Sequence, residues 1–428
     1  MTRFSYVKFA FLVAASLICQ NCSDTCTVSN TYIYYEPVYS TSAELKAAVS
    51  FDDPKPLTNL GKIYFKDGYL YINESGEGIH VIDNRNPSAP LPLGFITIPG
   101  NYDLAMVNNL LYADSFVDLV VLDVSNKQNI KEVNRVERVF NHALSYGYRM
   151  VTNENLILTD WEEVRSVTVQ ESECSGNQLQ NWGGMWMEDG IALRSFSGVG
   201  ASVIPTSTTG IGGSMARFTI AENHLYALDG AMLDVIDVST PGQPKPKAEQ
   251  EISWDIETLF PYNGILFGGS RSGMYIYDLV NPAAPQLLSK YEHVRSCDPV
   301  VVQDNYAFVT LRNGSECEGF VNQLEVIDIT SLTNPKLVKI YPMTNPHGLG
   351  IDNSVLFICD GSDGLKVYDA SDVNAITTNQ LAHHQDIQAL DIIPHQSIAM
   401  MIGPEGLYQY DYSDLTNIRL ISTLAIVR

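Results

Sequence analysis

Seven times along this chain, a run of β-branched and aromatic residues ends in an aspartate and gives way to a polar or proline-containing turn. The runs are Ile79-His-Val-Ile-Asp83, Leu119-Val-Val-Leu-Asp123, Leu233-Asp-Val-Ile-Asp237, Met274-Tyr-Ile-Tyr-Asp278, Leu324-Glu-Val-Ile-Asp328, Leu365-Lys-Val-Tyr-Asp369 and Leu407-Tyr-Gln-Tyr-Asp411. Successive aspartates lie 40, 114, 41, 50, 41 and 42 residues apart. A period of about 41 residues is what one four-stranded propeller blade requires. A single sheet of that size cannot bury both faces, so the units must stack around an axis. Within 344–386, Gly348-Leu-Gly-Ile reads as strand A, Val355-Leu-Phe-Ile-Cys359 as strand B and Leu365-Lys-Val-Tyr-Asp369 as strand C. The repeat therefore predicts an all-β, seven-bladed β-propeller. The aspartate closing each strand C is expected to accept hydrogen bonds from the amides of the turn that follows.

The 114-residue gap between Asp123 and Asp237 leaves one alternative open. One blade leaves about 73 residues over, and two leave about 32 and make eight blades. Asn155-Leu-Ile-Leu-Thr-Asp-Trp161 has strand character, but no aspartate and turn follow it in register. The reading is seven blades over 61–428 with an irregular insertion at about 141–214, its stretch from 166 rich in Gly, Ser and Thr. Residues 22–60 form an N-terminal extension whose Tyr32–Tyr39 segment suits a sheet edge. Residues 1–21 read as a signal peptide, with Arg3 and Lys8 before an apolar run from Phe9 to Ile18 that is too short to span a bilayer. Cys22 is the expected lipid acceptor and Cys19 the alternative; cleavage near Ala14 or Ala15 without lipid is the plainer course. Export allows disulfides, and Cys297 with Cys317 is the expected pair, on loops that this topology places on one face. Cys359, inside an apolar strand, is expected as a buried free thiol.

These motifs carry a resemblance. Val121-Leu-Asp-Val-Ser125 and Val235-Ile-Asp-Val-Ser239 resemble the repeat of LVIVD-repeat proteins. Tyr34-Tyr-Glu-Pro-Val-Tyr39, Gly78-Ile-His-Val-Ile-Asp83, Gly213-Ser-Met-Ala-Arg217, Asn345-Pro-His-Gly-Leu-Gly350 and Gly406-Leu-Tyr-Gln-Tyr-Asp411 are similar to segments of that family's exported bacterial lipoproteins. The resemblance implies a propeller at the cell surface or in the periplasm and implies no defined reaction. Leu365-Lys-Val-Tyr and Leu407-Tyr-Gln-Tyr depart from the short repeat by strand-compatible exchanges.

In a propeller, the loops leading into strand A gather around one mouth of the axis. Here they carry Asp103, Asp255, Asp298, His347 and Asp391, which predicts a carboxylate-rich rim for a polar ligand or a hard cation such as Ca2+. The plainer reading makes each of them the acceptor of its own turn. Asp360-Gly-Ser-Asp363-Gly364 resembles part of a calcium loop without its terminal Glu, and equally suits a turn using Gly361 and Gly364 at positive φ. His383 and His384 are read as loop residues. Trp182 and Trp186 in the insertion are candidate platforms for sugar rings or a peptide, or else a plug over a blade. No GxSxG, P-loop, Rossmann glycine pattern or zinc motif is present. A net charge of −23 argues against nucleic acid as a partner. The expected protein is a monomeric, lipid-anchored binding module of the outer membrane, on the surface or periplasmic side, whose partner is an envelope polysaccharide or protein. A glycan-acting hydrolase or lyase using rim carboxylates is the alternative.

Overall fold

A computed structural model of the chain describes residues 25–140, 151–153, 156–173, 209–294, 296, 299–313 and 321–427. Two compact units are present: Tyr39–Thr159 with Ser195–Arg428, and Met1–Val38 with Asp160–Arg194.

The larger unit is a ring of seven blades, each an antiparallel sheet whose strands A to D follow one another in the chain. The blades span 60–97, 104–136, 218–251, 256–292, 300–342, 349–384 and 391–425. Their A strands adjoin in sequence around the axis, and Leu60–Lys66 of blade 1 meets Asp391–His395 of blade 7. In five of the blades strands A and B are joined by tight turns with two left-handed residues, as at Asn263-Gly264 (φ 48° and 74°), which matches the right-handed twist of the strands. All seven repeat aspartates sit at the end of strand C. Each accepts from the amide two residues on: Arg85, Ser125, Ser239, Val280, Thr330, Ser371 and Ser413, at 2.8 to 3.1 Å. A bulge interrupts the pairing of C with D at the same place in every blade. Gly78, Gly273 and Gly406 open strand C at φ 149°, 155° and 137°, where a Cβ would lie 2.0 to 2.1 Å from a carbonyl oxygen of strand D.

The ring closes without exchanging a strand between the chain ends. Leu57 bridges Ile426 in parallel, and the core between blades 1 and 7 is apolar, with Ile63, Ile72, Ile393 and Met400 among its members. At six blade junctions, the residue after the repeat aspartate is apolar and shares a buried cluster with an apolar residue on strand C of the preceding blade: Val124 with Val81, Val238 with Val121, Leu279 with Val235, Ile329 with Ile276, Ala370 with Val326, and Tyr412 with Val367. At the seventh junction both positions are amides. Asn84 Nδ2 donates to Gln409 Oε1 at 2.8 Å, and Gln409 Nε2 donates to Asn84 Oδ1 at 2.7 Å. The unusual glutamine of Leu407-Tyr-Gln-Tyr is therefore half of a polar lock between the two ends of the ring.

Blade 1 has two additional strands, Ser50–Asp52 outside strand D and Ile211–Gly212 inside strand A. Helix α1, Ser42–Ala47, starts at a capping box of Thr41 and Glu44 and buries Leu45 with Val117 and Ile157. The region from 166 is not irregular throughout. Strand Leu156–Glu173 continues well past the residue-166 boundary read from the sequence and pairs with Thr25–Ser40. The β-branched residues Val164, Val167, Thr168 and Val169 favour the extended backbone. His383 and His384 belong to strand D of blade 6 rather than a loop.

Candidate functional site

The residues expected at the axial mouth arrive there by one local device. Asp103 stands immediately before strand A of blade 2, Asp255 before that of blade 4, and Asp391 begins that of blade 7. All three are buried. Asp103 accepts from the amides of Leu104 (2.7 Å), Arg217 (2.6 Å) and Phe218 (3.2 Å), tying blade 2 to the start of blade 3. Asp114, at the end of strand B, takes the amides of Tyr102 and Asp103 at 2.9 Å. Burial raises its pKa to about 7 against the pull of those amides.

Lys62, on strand A of blade 1, lies among these acids. Its Nζ donates to the carbonyl of Met215, and Asp103 and Asp391 both act on it electrostatically. Burial lowers the pKa of Lys62 and raises those of Asp103 and Asp391, while each acid is drawn back by the lysine. Arg217 and Glu257 contribute to the same field, and Glu257 is held by Arg271 at 2.7 Å. Asp103 and Asp391 thus share a buried, mixed-charge environment with Lys62, and the two oxygens of Asp391 meet no hydrogen-bond donor there. Burying these carboxylates without cations nearby would carry a heavy desolvation cost.

Asp255 and His347 lie in separate networks. Asp255 accepts from the hydroxyls of Ser253, Ser270 and Ser272, which outweigh burial and lower its pKa. The His347 amide donates to the Cys359 carbonyl at 2.7 Å, and its Nε2 lies 3.2 Å from Asn345 Nδ2. Burial, with the charge of Arg312, lowers its pKa to about 3, so the ring is neutral at pH 7. The Asp360–Gly364 turn has Gly361 and Gly364 at φ 58° and 82°. Its two carboxylates are occupied by Lys366, whose Nζ lies 2.5 Å from both Asp360 and Asp363. This ammonium explains the lysine in Leu365-Lys-Val-Tyr. Among the described residues, no group of three or more His, Cys, Asp or Glu side chains is placed to hold a metal ion. Cys359 is a buried free thiol. Asp298, Trp182, Trp186, Cys297, Cys317, Cys19 and Cys22 lie outside the described residues.

The smaller unit supplies a different surface. Tyr32, Ile33, Tyr34 and Tyr35 are consecutive on Thr25–Ser40 and all exposed, Tyr35 by 58%. Successive side chains of a strand point to opposite faces, so both faces of this ribbon present aromatic surface to solvent. The strand stands at one end of the three-stranded order formed with Leu156–Glu173 and Val151–Asn153, and its outer edge has no partner strand among the described residues. The run of tyrosines was visible in the sequence. Its exposure was not, because an aromatic strand reads equally well as core.

Seven contiguous four-stranded blades around one axis define a β-propeller. Residues 61–95, 101–137, 212–248 and 295–343 match the LVIVD repeat. The chain is an LVIVD-repeat β-propeller. Among solved structures, it is similar over 88% of its length to 91% of the computationally designed Ika8 protein, with 12% identity and a TM-score of 0.51. It also resembles Sqt1 of Saccharomyces cerevisiae (10% identity, 90% of this chain and 87% of that one, TM-score 0.49) and BamB of Moraxella catarrhalis (6% identity, 90% and 97%, TM-score 0.46). These likenesses concern the fold alone. No curated protein sequence matches the chain. Among the described residues, no helix is long and apolar enough to cross a membrane.

Proposed function

We propose that this propeller is an exported binding module, anchored in the outer membrane through lipid on Cys22, that engages a protein of the envelope through its aromatic ribbon. The observation carrying this reading is the run of four exposed apolar residues from Tyr32 to Tyr35 on a strand whose outer edge has no partner strand among the described residues. Contiguous exposed apolar surface of this kind marks interaction sites, and a free edge accepts a further strand. Tyrosine provides rigid contact area at low entropic cost. The propeller is the rigid scaffold, with Asp103, Asp391 and Lys62 buried at its axis.

The test is a photo-crosslinking residue placed at Ile33 or Tyr35 of the full chain in intact cells, with the same residue at Val280 on the propeller as the control. Discrete protein adducts from the ribbon positions alone support the reading. Adducts from Val280 alone, or glycan adducts from the ribbon, refute a protein-binding ribbon. Incorporation of a palmitate analogue into the chain but not into Cys22→Ala tests the anchor separately.

A further inference from the structure

At the centre of strand C, three residues before the repeat aspartate, the seven blades carry His80, Val120, Asp234, Tyr275, Glu325, Lys366 and Tyr408. Their cross-strand partners on strand D are Phe95, Arg135, Glu249, Lys290, Ile340, His383 and Thr423. Blade 3 alone sets two acids, Asp234 and Glu249, directly opposite each other, an arrangement that costs stability. His80, Lys366 and Glu325 at this position find partners. His80 meets Glu74 at 2.7 Å, Lys366 meets two aspartates, and Glu325 accepts from Tyr291 Oη of the preceding blade at 2.9 Å. Asp234 is 3% exposed, and its Oδ2 meets no hydrogen-bond donor.

The reason lies in the neighbouring blade. Tyr291 pairs with Met274, and the matching register in blade 2 pairs Val136 with Leu119. Where blade 4 sends a tyrosine toward its neighbour's acid, blade 2 has a valine. The space this leaves is a cavity of about 400 Å³ between blades 2 and 3, lined by Val136, Val139, Pro246, Asp234 and Glu249 among others. That is the size of a small-ligand site. Glu137, Arg138 and Lys247 also line it, and Lys247 Nζ is already 3.1 Å from Asp237 Oδ2. Three acidic and two basic side chains therefore line it together with apolar walls, and the buried oxygen of Asp234 is the one that meets no donor.

We infer that this inter-blade cavity is a binding site for an alkylammonium group, with Asp234 and Glu249 receiving the ammonium and Val136 and Val139 flanking its alkyl stem. A compact inorganic cation is a poorer fit, because it asks for six or more oxygen ligands where this cavity offers three carboxylates and hydrocarbon. A free amine and the lysine side chain of another protein present the same group.

Cadaverine, 1-pentanol and a lysine-containing pentapeptide are titrated into the full chain at physiological salt, with the melting midpoint and calorimetric heat as readouts. The expected result is binding of cadaverine or the peptide and not of pentanol. Asp234→Asn, which preserves shape, should weaken it by about 30-fold or more. Val136→Tyr should abolish it by filling the cavity. Asp234 is surrounded by Asp229 on strand B, Glu249 and Lys247 on strand D, and Glu137 and Arg138 of blade 2. Its carboxyl is held up to about 8 by burial and by Asp229 and Glu249. Binding near neutral pH should therefore release a proton, seen as heat that changes with buffer ionisation enthalpy. Preference for cadaverine assigns a free amine, and preference for the peptide assigns a protein lysine. If neither binds, or if both variants bind as the wild type does, the inference is overturned.

Discussion

The amide pair at the ring junction makes a quantitative claim about how this propeller closes. Replacing Asn84 with valine, the residue that blades 2 and 3 carry at that position, removes two hydrogen bonds of 2.7 and 2.8 Å. Two such bonds contribute about 2 kcal/mol net, and the stranded Gln409 Oε1 costs about 1 to 3 kcal/mol more in a dry site. Asn84→Val should therefore destabilise by about 3 to 5 kcal/mol. Gln409→Val should cost at least as much, because Gln409 Nε2 also reaches Pro87 O at 3.1 Å and Ser422 Oγ at 3.2 Å. The double variant restores the apolar pairing of the other six junctions. Removing both partners together is nearly neutral, so the coupling energy should approach the sum of the two single losses, about 6 kcal/mol or more. Urea unfolding followed by far-UV circular dichroism measures this from the midpoints at constant slope. Single variants within about 0.5 kcal/mol of wild type, or a double variant as unstable as the sum of the singles, would refute a polar lock. The lock also has a rationale in specificity. Six apolar junctions are interchangeable, whereas an amide pair is satisfied only when blade 7 meets blade 1.

Further outcomes follow from buried and turn carboxylates. The raised pKa of Asp234 means that its stabilising effect is complete below about pH 4 and is lost as pH rises through about 8. Asp234→Asn should remove that decline, so that near pH 9 it melts above wild type, by on the order of 3 kcal/mol in stability. Glu74 behaves oppositely. Burial raises its pKa, but His80, Thr58 and the Asn59 amide outweigh this and hold it near about 2. The stability it contributes is present above about pH 4.5 and lost on acidification toward 2, so Glu74→Gln should flatten the acid limb of the melting curve at a cost of about 2 kcal/mol near neutrality. Asp328→Ala removes the acceptor for the Thr330 amide and should cost about 1 kcal/mol in a urea melt, with no change in ribbon crosslinking.

The parts of this protein legible in its sequence are those whose causes lie within a few residues. An aspartate reaching an amide two positions on, a glycine that must avoid a carbonyl, and apolar runs recurring at blade length all act locally. Strands A to C of blade 6 were read to within a residue of Leu349–Asp352, Val355–Cys359 and Leu365–Asp369 for that reason. Seven blades rather than eight became definite only when the A strands closed into one ring. Turn chemistry says nothing about which distant segments meet. The join of Asn84 to Gln409 spans 325 positions, and Thr25–Ser40 pairs with a strand that begins at Leu156. Lys62 among the axial acids and Asp234 facing Val136 have the same character. In each case, the partner is delivered by ring geometry and sheet register. The sequence by itself determined the repeat and its turns. Tertiary structure alone decided which polar groups are paired and which are left facing a cavity, because burial and pairing belong to the assembled neighbours and not to any one segment.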